Sequence, residues 1–427
     1  MNLESISQLY SIFKQYPNVY YDSRKCTPNS LFFALRGERN GNEFALSALE
    51  NGARYAIIDE EKYKLDDRFI LVENVLQTLQ DLATFHRRQL ATPMLSITGS
   101  NGKTTTKELI ASVLSQKYNI HFTQGNYNNH IGVPLTLLQL KPKHEIAIVE
   151  MGANAQGEIG LLCKIARPNF GLITNVGKAH LEGFGGVEGV KKGKGEMYHY
   201  IARSGKLVFI NKNNPALVEM ALKAGLENKM LGYIHGEQIP TASPFLEVKI
   251  GGACGGFTVK TNLVGAYNVE NVLASTTIGR YFSLTDEQIK RGLESYVPSN
   301  NRSQLTETAH NKLIVDAYNA NPSSMSVAVK NFAEIEAENK LLILGDMFEL
   351  GEDSEKEHQA IIDLMIENGF DRAFLVGEHF AKTKNPFQNF ENTAELLQYI
   401  EKEPVKNNCI LIKASRGIKL EDVIEKL

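Results

Sequence analysis

A glycine-rich segment carries the clearest chemical signal in the sequence. Gly99-Ser100-Asn101-Gly102-Lys103-Thr104 follows the apolar run at residues 94–98 and precedes a helical pattern. In that order, backbone N–H groups and a helix N-terminus converge on an anion, while Lys103 can reach the β- and γ-phosphates and Thr104 can bind Mg²⁺. Because Ile97 stands where the usual motif has glycine, the loop is a shortened variant. A glycine-rich turn with an exposed lysine is the alternative.

Three more residues of interest lie near strand-like runs. Glu150 ends the run 146–149, and a carboxylate at the carboxyl end of a parallel strand suits Mg²⁺, although a surface or helix-capping glutamate is the alternative. His180 follows the run 171–174 and is either a metal ligand or a histidine satisfied by hydrogen bonds. Lys194, by itself, looks like one member of a solvated basic run with Lys191 and Lys192.

Polar residues in the second half of the chain could contact a nucleotide. Asn268 and Asn271 are three residues apart and therefore share a helix face, from which their amides could bind a base edge or cap a helix. Asp316 ends the run 312–315, and a polar residue at the end of a strand predicts a ligand contact.

The bulk composition excludes several classes of protein. With 43% hydrophobic and 22% charged residues the composition is globular, and a net charge of −3 gives no global field that would collect nucleic acid or an anionic membrane. Cys26, Cys163, Cys254 and Cys409 form no Cys-x-x-Cys pair, so we expect neither a disulfide framework nor a thiolate metal site. No apolar run approaches the ~20 residues of a membrane helix, and the first residues lack a signal segment, which predicts a cytoplasmic protein.

The elements that must position these residues predict an α/β protein of three domains. A small α/β domain is expected at residues 1–91, because a helical stretch ends shortly before Pro93. A central domain of P-loop type with a mainly parallel sheet is expected at residues 92–299, with antiparallel strands within 245–264. A C-terminal, doubly wound, Rossmann-like α/β domain is expected at residues 300–427. The strand-like runs behind this division are 31–35, 56–58, 94–98, 146–149, 171–174, 207–210, 312–315, 341–344, 373–376 and 410–412.

Together these segments resemble the Mur ligases, the ATP-dependent amide-forming enzymes of peptidoglycan synthesis. The resemblance runs from Asp22-Ser23-Arg24, through the phosphate loop, to Lys413-Ala414-Ser415-Arg416-Gly417. Within the family, Glu150-Met151-Gly152-Ala153 and Tyr318-Asn319-Ala320-Asn321-Pro322 are typical of the branch that adds D-alanyl-D-alanine to UDP-N-acetylmuramoyl-tripeptide. Ser323 stands where the diamino-acid-adding ligases carry the arginine of Asp-Asn-Pro-Arg, which favours the dipeptide-adding branch.

The resemblance implies an acyl-phosphate mechanism with ATP and two Mg²⁺ ions. Thr104 and Glu150 would hold one ion, while His180, Glu150 and a carbamylated Lys194 would hold the second. Lys191 and Lys192 are the alternatives for the carbamylated position. The chemistry is consistent, because an ammonium group cannot bind a cation, whereas a carbamate supplies carboxylate-like oxygen atoms. Lys103, Lys194 and His180 would be the catalytic residues.

The resemblance also implies the substrate contacts. Asn268 and Asn271 would face adenine, Asp316 the ribose and Arg302 the phosphates, and the family often has His where this chain has Tyr267. The remaining implied contacts are Gly99, Ser100, Asn101, Gly102, Lys103, Thr104 and Thr105 for ATP, Asp22, Ser23 and Arg24 for the uridine diphosphate end of the sugar-peptide, and Tyr318, Asn319 and Asn321 for substrate. We expect a monomer with no nucleic-acid partner and no stable membrane association.

Two other functions remain open at this point. A folate polyglutamate-forming ligase resembles the family in its phosphate loop, but it would lack the first domain with Asp22-Ser23-Arg24. A nucleotide-controlled switch would need the guanine-binding Asn-Lys-x-Asp, of which the chain has only Asn211-Lys212-Asn213-Asn214.

Overall fold

The computed structural model describes residues 5–241, 243–252, 256–299 and 302–427. Cys254, the first four residues and the expected start of the third domain at residues 300–301 lie outside the described residues. The described chain contains four β-sheets, three of them flanked by helices, and this agrees with the expected α/β class.

The first sheet is small and wholly parallel, in the order β1-β2-β3-β4. Its strands are β1 Asn18–Tyr20, β2 Ser30–Phe33, β3 Ala53–Ile58 and β4 Phe69–Leu71, and its helices are α1 Ile6–Gln15, α2 Ala45–Glu50 and α3 Val75–Arg88. Alternate residues of β2 pack on opposite faces: Leu31 and Phe33 join the core beneath α1 and α3, while Phe32 joins the core beneath α2. Burial of both faces explains why β2 is a continuous apolar run.

The second sheet is also parallel, in the order β10-β9-β8-β5-β7-β6. Its strands are β5 Met94–Thr98, β6 Ile120–Phe122, β7 Ile146–Glu150, β8 Phe170–Ile173, β9 Leu207–Ile210 and β10 Met230–Gly232. The helices between them are α4 Lys103–Leu114, α5 Gly132–Leu138, α6 Glu158–Ala166, α7 Leu181–Phe184, α8 Val187–Ser204 and α9 Pro215–Lys223. The connection after β5 leads to β6 on one side of the sheet and the connection after β8 leads to β9 on the other, so a crevice opens at the carboxyl ends of these neighbouring strands.

A three-stranded antiparallel sheet follows, as the sequence predicted for residues 245–264. It consists of β11 Gly236–Ile239, β12 Phe245–Ile250 and β13 Phe257–Val264, followed by α10 Val269–Tyr281 and α11 Asp286–Ser295. Val248 and Val259 of this sheet share one apolar core with Leu109 of α4 and Ile278 of α10. The phosphate-loop helix is therefore held from behind by both helices and strands.

The last sheet has the order β14-β15-β19-β16-β17-β18, and all its pairs are parallel except β14 with β15. Its strands are β14 Gln304–Glu307, β15 Lys312–Asp316, β16 Lys340–Gly345, β17 Ala373–Val376, β18 Gln388–Phe390 and β19 Cys409–Lys413, and its helices are α12 Pro322–Glu334, α13 Ser354–Glu367, α14 Glu378–Ala381 and α15 Thr393–Lys402. The sheet is doubly wound as expected, with an antiparallel edge strand that the sequence analysis did not predict. Of the helices described in all four regions, none combines the length and apolarity needed to cross a membrane.

Candidate functional site

A cavity of about 1190 Å³ lies between the carboxyl ends of the second sheet and the loops of the last sheet. Most of the residues predicted to carry chemistry line it. They are Ser100, Asn101, Gly102, Lys103, Thr104, Thr105, Glu150, His180, Asn268, Asn271, Arg302, Asp316, Tyr318, Asn319 and Asn321. Gly99, Lys194, Asp22, Ser23 and Arg24 are not part of its lining.

The phosphate loop is anchored to the segment that follows β8. Asn175 accepts from the Ser100 N–H through its carbonyl at 3.0 Å and from the Asn101 N–H through Oδ1 at 2.9 Å. The hydroxyl of Thr174 donates to the Asn101 carbonyl at 2.6 Å. Gly102, with φ of 77°, then turns the chain into α4, whose first-turn N–H groups carry no intrahelical partner. The loop is thus fixed before any anion arrives.

The Lys103 ammonium folds back over this loop. Its Nζ donates to the carbonyls of Gly99 at 2.7 Å and Ser100 at 3.2 Å. Burial lowers the pKa of Lys103 to about 8, with Arg302 acting in the same direction and Glu150 opposing. The lysine is half-buried in the cavity, so the alternative of a glycine-rich turn with an exposed lysine is wrong.

Glu150 presents a carboxylate oxygen that lacks a partner. Its Oε1 accepts from Thr104 Oγ1 at 3.2 Å and from Asn128 Nδ2 at 2.8 Å. Its Oε2 is buried and receives no hydrogen bond from the described residues, although Lys107 Nζ lies 3.8 Å away. Since the residue is 1% exposed and ends β7 inside the crevice, the alternatives of a surface or helix-capping glutamate are wrong. A buried carboxylate oxygen without a hydrogen bond, next to a threonine hydroxyl, suits a hard divalent cation.

His180 reaches across to the last sheet. Its backbone is left-handed, with φ of 53°, and its Nδ1 contacts Glu349 Oε2 in the loop after β16. That hydrogen bond lowers the pKa of Glu349. His180 is therefore hydrogen-bonded through Nδ1. Its Nε2 has no hydrogen-bond partner in the described parts of the chain.

Lys194 differs from its neighbours in the basic run. Lys192 is exposed and Lys191 pairs with Glu188 at 2.6 Å, whereas Lys194 is fully buried in α8. Its Nζ lies 5.1 Å from the centroid of the Phe184 ring, and 3.5 Å from the carbonyl of Ala153, which lines the cavity. Burial, with a smaller contribution from Lys103, holds the pKa of Lys194 well below its usual range. The expectation of a solvated Lys194 is wrong, because the helix turns this residue inward.

The donor set limits how a metal ion could be held. Among the described residues, no group of three or more His, Cys, Asp or Glu side chains is placed to hold a metal ion. Thr104 and Glu150 alone would leave most positions of an octahedral ion open. The site therefore fits an ion that arrives with phosphate oxygen atoms, and the unpartnered Glu150 Oε2 is the protein atom that favours such an ion.

The two asparagines predicted for the base lie side by side. Asn271 Nδ2 donates to Asn268 Oδ1 at 2.8 Å, and Asn271 Oδ1 accepts from Thr106 Oγ1 at 2.9 Å. Asn268 precedes α10, but its side chain makes no capping hydrogen bond. The capping alternative is not observed, and the pair instead ties α10 to the phosphate-loop helix. Tyr267, beside them, pairs its hydroxyl with Ser303 Oγ at 2.6 Å.

Residues of the last sheet form the opposite wall. The Arg302 guanidinium lies 3.8 Å from the centroid of the Tyr318 ring, and its Nε is buried without a hydrogen-bond acceptor among the residues that the structure describes. Asp316 Oδ2 accepts from the buried Lys413 Nζ at 2.5 Å, and the carbonyl of Asn319 accepts from the same Nζ at 3.2 Å. These contacts fix Asp316 at the edge of the cavity.

Asn321 joins the two walls. Its Oδ1 accepts from Ser324 N–H at 2.9 Å and so caps α12, while its Nδ2 donates to Asn101 Oδ1 at 2.8 Å. Lys178, after β8, adds an ion pair to Glu357 at 2.5 Å and a backbone hydrogen bond to Ser323 Oγ at 2.9 Å. The loops of the last sheet are therefore in direct contact with the phosphate loop.

The N-terminal motif lies outside the cavity. Asp22 pairs with the exposed Arg24 at 2.9 Å, and Ser23 is buried, with its carbonyl accepting from Asn51 at 3.1 Å. Burial raises the pKa of the adjacent Tyr21, and the neighbouring Tyr127 hydroxyl adds to that effect. Tyr127 directly precedes the cavity residues 128–130, so the motif adjoins the site without lining it.

Three residues near the site were not predicted from the sequence. Asn128 binds Glu150, Lys107 is a fully buried lysine near the same carboxylate, and Glu349 binds His180. The spacing of Lys107, four residues after Lys103 on the same helix, is a signal that could have been used. Glu349 gave no local signal, because its partner is 169 positions away.

Comparisons with known proteins agree with this arrangement. Family models match residues 15–87 (Mur ligase family, catalytic domain), 97–279 (Mur ligase middle domain) and 301–416 (Mur ligase, glutamate ligase domain). The UDP-N-acetylmuramoyl-tripeptide--D-alanyl-D-alanine ligase of Bacillus subtilis (strain 168) is 34% identical over 425 residues, which cover 95% of this chain and 92% of the relative.

Solved structures show the same overall fold. A crystal structure of MurF from Acinetobacter baumannii has a TM-score of 0.87 at 28% identity, covering 99% of this chain and 98% of that one. MurF ligase from Thermotoga maritima, solved in complex with ADP, has a TM-score of 0.84 at 26% identity, covering 96% and 97%. The chain therefore belongs to the Mur ligase family, in its UDP-N-acetylmuramoyl-tripeptide--D-alanyl-D-alanine ligase branch.

Proposed function

We propose that the chain joins D-alanyl-D-alanine to the terminal carboxylate of UDP-N-acetylmuramoyl-tripeptide, with cleavage of ATP to ADP and phosphate. The product is the UDP-linked pentapeptide precursor of peptidoglycan. The observation that carries the proposal is one cavity in which the phosphate loop, Lys103 and the Glu150 carboxylate face Arg302 and Asp316 of the last sheet. The family match over all three regions supports the same reaction.

The reaction needs activation because a carboxylate is a poor electrophile. An oxygen of the tripeptide carboxylate attacks the γ-phosphorus of ATP, and the bond from that phosphorus to the β-γ bridging oxygen breaks. ADP departs, and the tripeptide is left as an acyl phosphate. The amine of the dipeptide then attacks the acyl carbon, inorganic phosphate departs, and the nitrogen releases its proton to solvent. Contacts from two regions of the chain support closure around this intermediate, which would exclude water.

The chain's own groups would hold the transferring phosphoryl group. First-turn N–H groups of α4 and the Lys103 ammonium would face the β- and γ-phosphates, and Arg302, whose Nε has no acceptor among the described residues, would face them from the opposite wall. Asn268 and Asn271 would face adenine, and Asp316 the ribose. The phosphate loop is already held in one conformation by its hydrogen bonds, so binding of the triphosphate would require little rearrangement of the loop.

The proposal includes two Mg²⁺ ions, held by the residues that the resemblance to the Mur ligases implies. Thr104 and Glu150 would hold one, and His180, Glu150 and carbamylated Lys194 the second. When bound, the ions neutralise negative charge on the triphosphate and the transferring group. Lys194 suits carbamylation, since its lowered pKa favours the neutral amine, whose nitrogen can bond to the carbon of CO₂ and lose a proton.

The remaining contacts follow the division of the chain. Residues 1–91 would bind the UDP-sugar-peptide through Asp22, Ser23 and Arg24, and the adjoining Tyr21 and Tyr127 support a path from that motif to the cavity. Residues 92–299 would bind ATP, and residues 300–427 would complete the site, with Tyr318, Asn319 and Asn321 toward the substrate. A cytoplasmic monomer that acts without nucleic acid or stable membrane association completes the proposal.

Phosphate release from MgATP tests the function directly. Purified protein would be given UDP-N-acetylmuramoyl-tripeptide with lysine or diaminopimelate at the third position, and each substrate would be omitted in turn. Release should require both the tripeptide and D-alanyl-D-alanine, and mass spectrometry should detect the pentapeptide. Release without the dipeptide, or equal release with single amino acids, would contradict the assignment.

A further inference from the structure

Glu349 and His180 meet where the loops of the second and last sheets touch. Glu349 follows β16, His180 follows β8, and the contact joins Glu349 Oε2 to His180 Nδ1. His180 lines the cavity, and its Nε2 accepts or donates no hydrogen bond within the described chain. One ring nitrogen is therefore occupied by a carboxylate from the last sheet while the other stays available.

The backbone on both sides is shaped for this contact. His180 has φ of 53° and Glu349 φ of 61°, left-handed conformations that strain the backbone of a non-glycine residue. Glu182 N–H donates to the Glu349 carbonyl at 3.3 Å, which ties the two strained segments together. An ion pair on the surface would not by itself require two strained backbone conformations that face each other.

A histidine that binds a metal ion through one nitrogen usually donates the other N–H to a carboxylate or carbonyl. This partner fixes the tautomer and the ring orientation. We propose that Glu349 is the positioning residue for His180: it holds Nδ1–H so that Nε2 faces the second ion, and the last sheet thereby completes the metal centre. The inference rests on the proposed function, which assigns that ion to His180, Glu150 and carbamylated Lys194.

A second ion pair across the same junction allows a control. It distinguishes the positioning of His180 from closure of the last sheet over the cavity. Lys178 and Glu357 pair at 2.5 Å, and neither residue lines the cavity. Glu357→Ala should therefore weaken closure without touching His180. The two glutamates give matched variants, one that contacts the histidine and one that does not.

The test counts bound Mn²⁺ by electron paramagnetic resonance, with full-length protein, bicarbonate and a non-hydrolysable ATP analogue. Wild-type protein should bind two ions. Glu349→Ala should weaken the second by about 10- to 100-fold and leave the first unchanged, as expected for loss of a carboxylate behind a metal-binding histidine. Glu349→Gln keeps an acceptor for Nδ1–H, so its affinity for the second ion should lie between those of wild type and Glu349→Ala. Glu357→Ala should bind both ions as wild type does.

The controls separate this inference from the proposed function. If wild type binds one ion, or His180→Ala keeps both, the metal assignment of the proposed function fails. If His180→Ala loses the second ion but Glu349→Ala keeps it, only the positioning role is overturned. Equal weakening in Glu349→Ala and Glu357→Ala also overturns it, because closure alone would then explain the effect. Thermal unfolding of each variant confirms that it is folded before ions are counted.

Discussion

At the scale of single residues, burial separates groups that have the same chemistry. Lys192 and Lys194 are two positions apart on α8, but the first is exposed and the second is fully buried. Removing an ammonium from water disfavours its charged form, so burial lowers the pKa of Lys194 and favours its neutral amine. Of these two lysines, Lys194 is therefore the one suited to the proposed carbamylation.

Lys194→Ala should abolish ligation, because the proposed second ion loses an oxygen ligand. A short-chain carboxylic acid such as acetate should restore part of the activity by placing a carboxylate in the vacated space. The measurement is phosphate release with and without acetate, and Lys192→Ala is the matched control, which should remain active. Full activity of Lys194→Ala would remove this lysine from the site.

At the scale of elements, the phosphate loop depends on glycine at one close approach. Gly99 has φ of 145°, and a Cβ there would lie 2.0 Å from Thr174 Oγ1, the hydroxyl that binds the Asn101 carbonyl. A side chain at this position would strain the backbone and push the loop away from β8. The strand-loop-helix order could be predicted from periodicity, but this collision depends on a strand that is distant in sequence.

Gly99→Ala should weaken ADP binding by roughly ten-fold, since strain on the order of 1–3 kcal/mol brackets the ~1.4 kcal/mol that a ten-fold change requires. Calorimetric titration with MgADP measures this. Gly225→Ala is the control, because Gly225 also has a positive φ, of 78°, but open space around it. Equal affinities for Gly99→Ala and wild type would show that the loop tolerates displacement.

The junction between α3 and the second sheet depends on one buried arginine. Arg87 donates to the carbonyls of Leu90 at 2.8 Å and Ala166 at 3.0 Å, and to Asn169 Oδ1 at 3.3 Å. Arg87→Met would remove the donor to the buried Ala166 carbonyl and the bonds to the part-buried Leu90 and Asn169, and should lower the free energy of unfolding by about 1–3 kcal/mol. Urea denaturation measures the change in the free energy of unfolding, and Arg88→Met at the neighbouring position is the control. An unchanged midpoint for Arg87→Met would mean that water replaces the guanidinium.

At the scale of the whole molecule, buried histidines link folding to pH. His86 Nε2 hydrogen-bonds the Leu140 carbonyl at 2.8 Å and His121 Nε2 the Thr136 carbonyl at 2.7 Å, and burial lowers the pKa of both. Above the unfolded-state pKa of about 6.5 neither state carries the extra proton. Below it the unfolded chain takes up protons that the folded chain resists, so stability falls as pH falls toward the folded-state pKa.

The urea midpoint should therefore be lower at pH 5.5 than at pH 7.5. His86→Gln, which can still donate to the Leu140 carbonyl, should show a smaller difference between the two pH values than wild type. Each unit by which burial depresses a histidine pKa corresponds to about 1.4 kcal/mol of this effect. The same difference in variant and wild type would assign the pH dependence to other groups.

Local patterns in the sequence were sufficient for the scaffold of the site. Periodicity and glycine placement predicted β5, the loop and α4, and the apolar runs placed Glu150 and Asp316 at strand ends. They succeed because strand and helix formation depends on neighbours within a few positions, and because parallel strands put their carboxyl ends at one edge.

Tertiary structure alone decided the state and partners of the reactive groups. Whether Lys194 is solvated or buried, which atom of Glu150 lacks a partner and what holds His180 all depend on segments far apart in the chain. Burial and pairing are properties of the packed molecule, since a pKa responds to every charge and every lost water within a few ångströms. The sequence determined which groups the protein has at its strand ends, and the fold decided their chemistry.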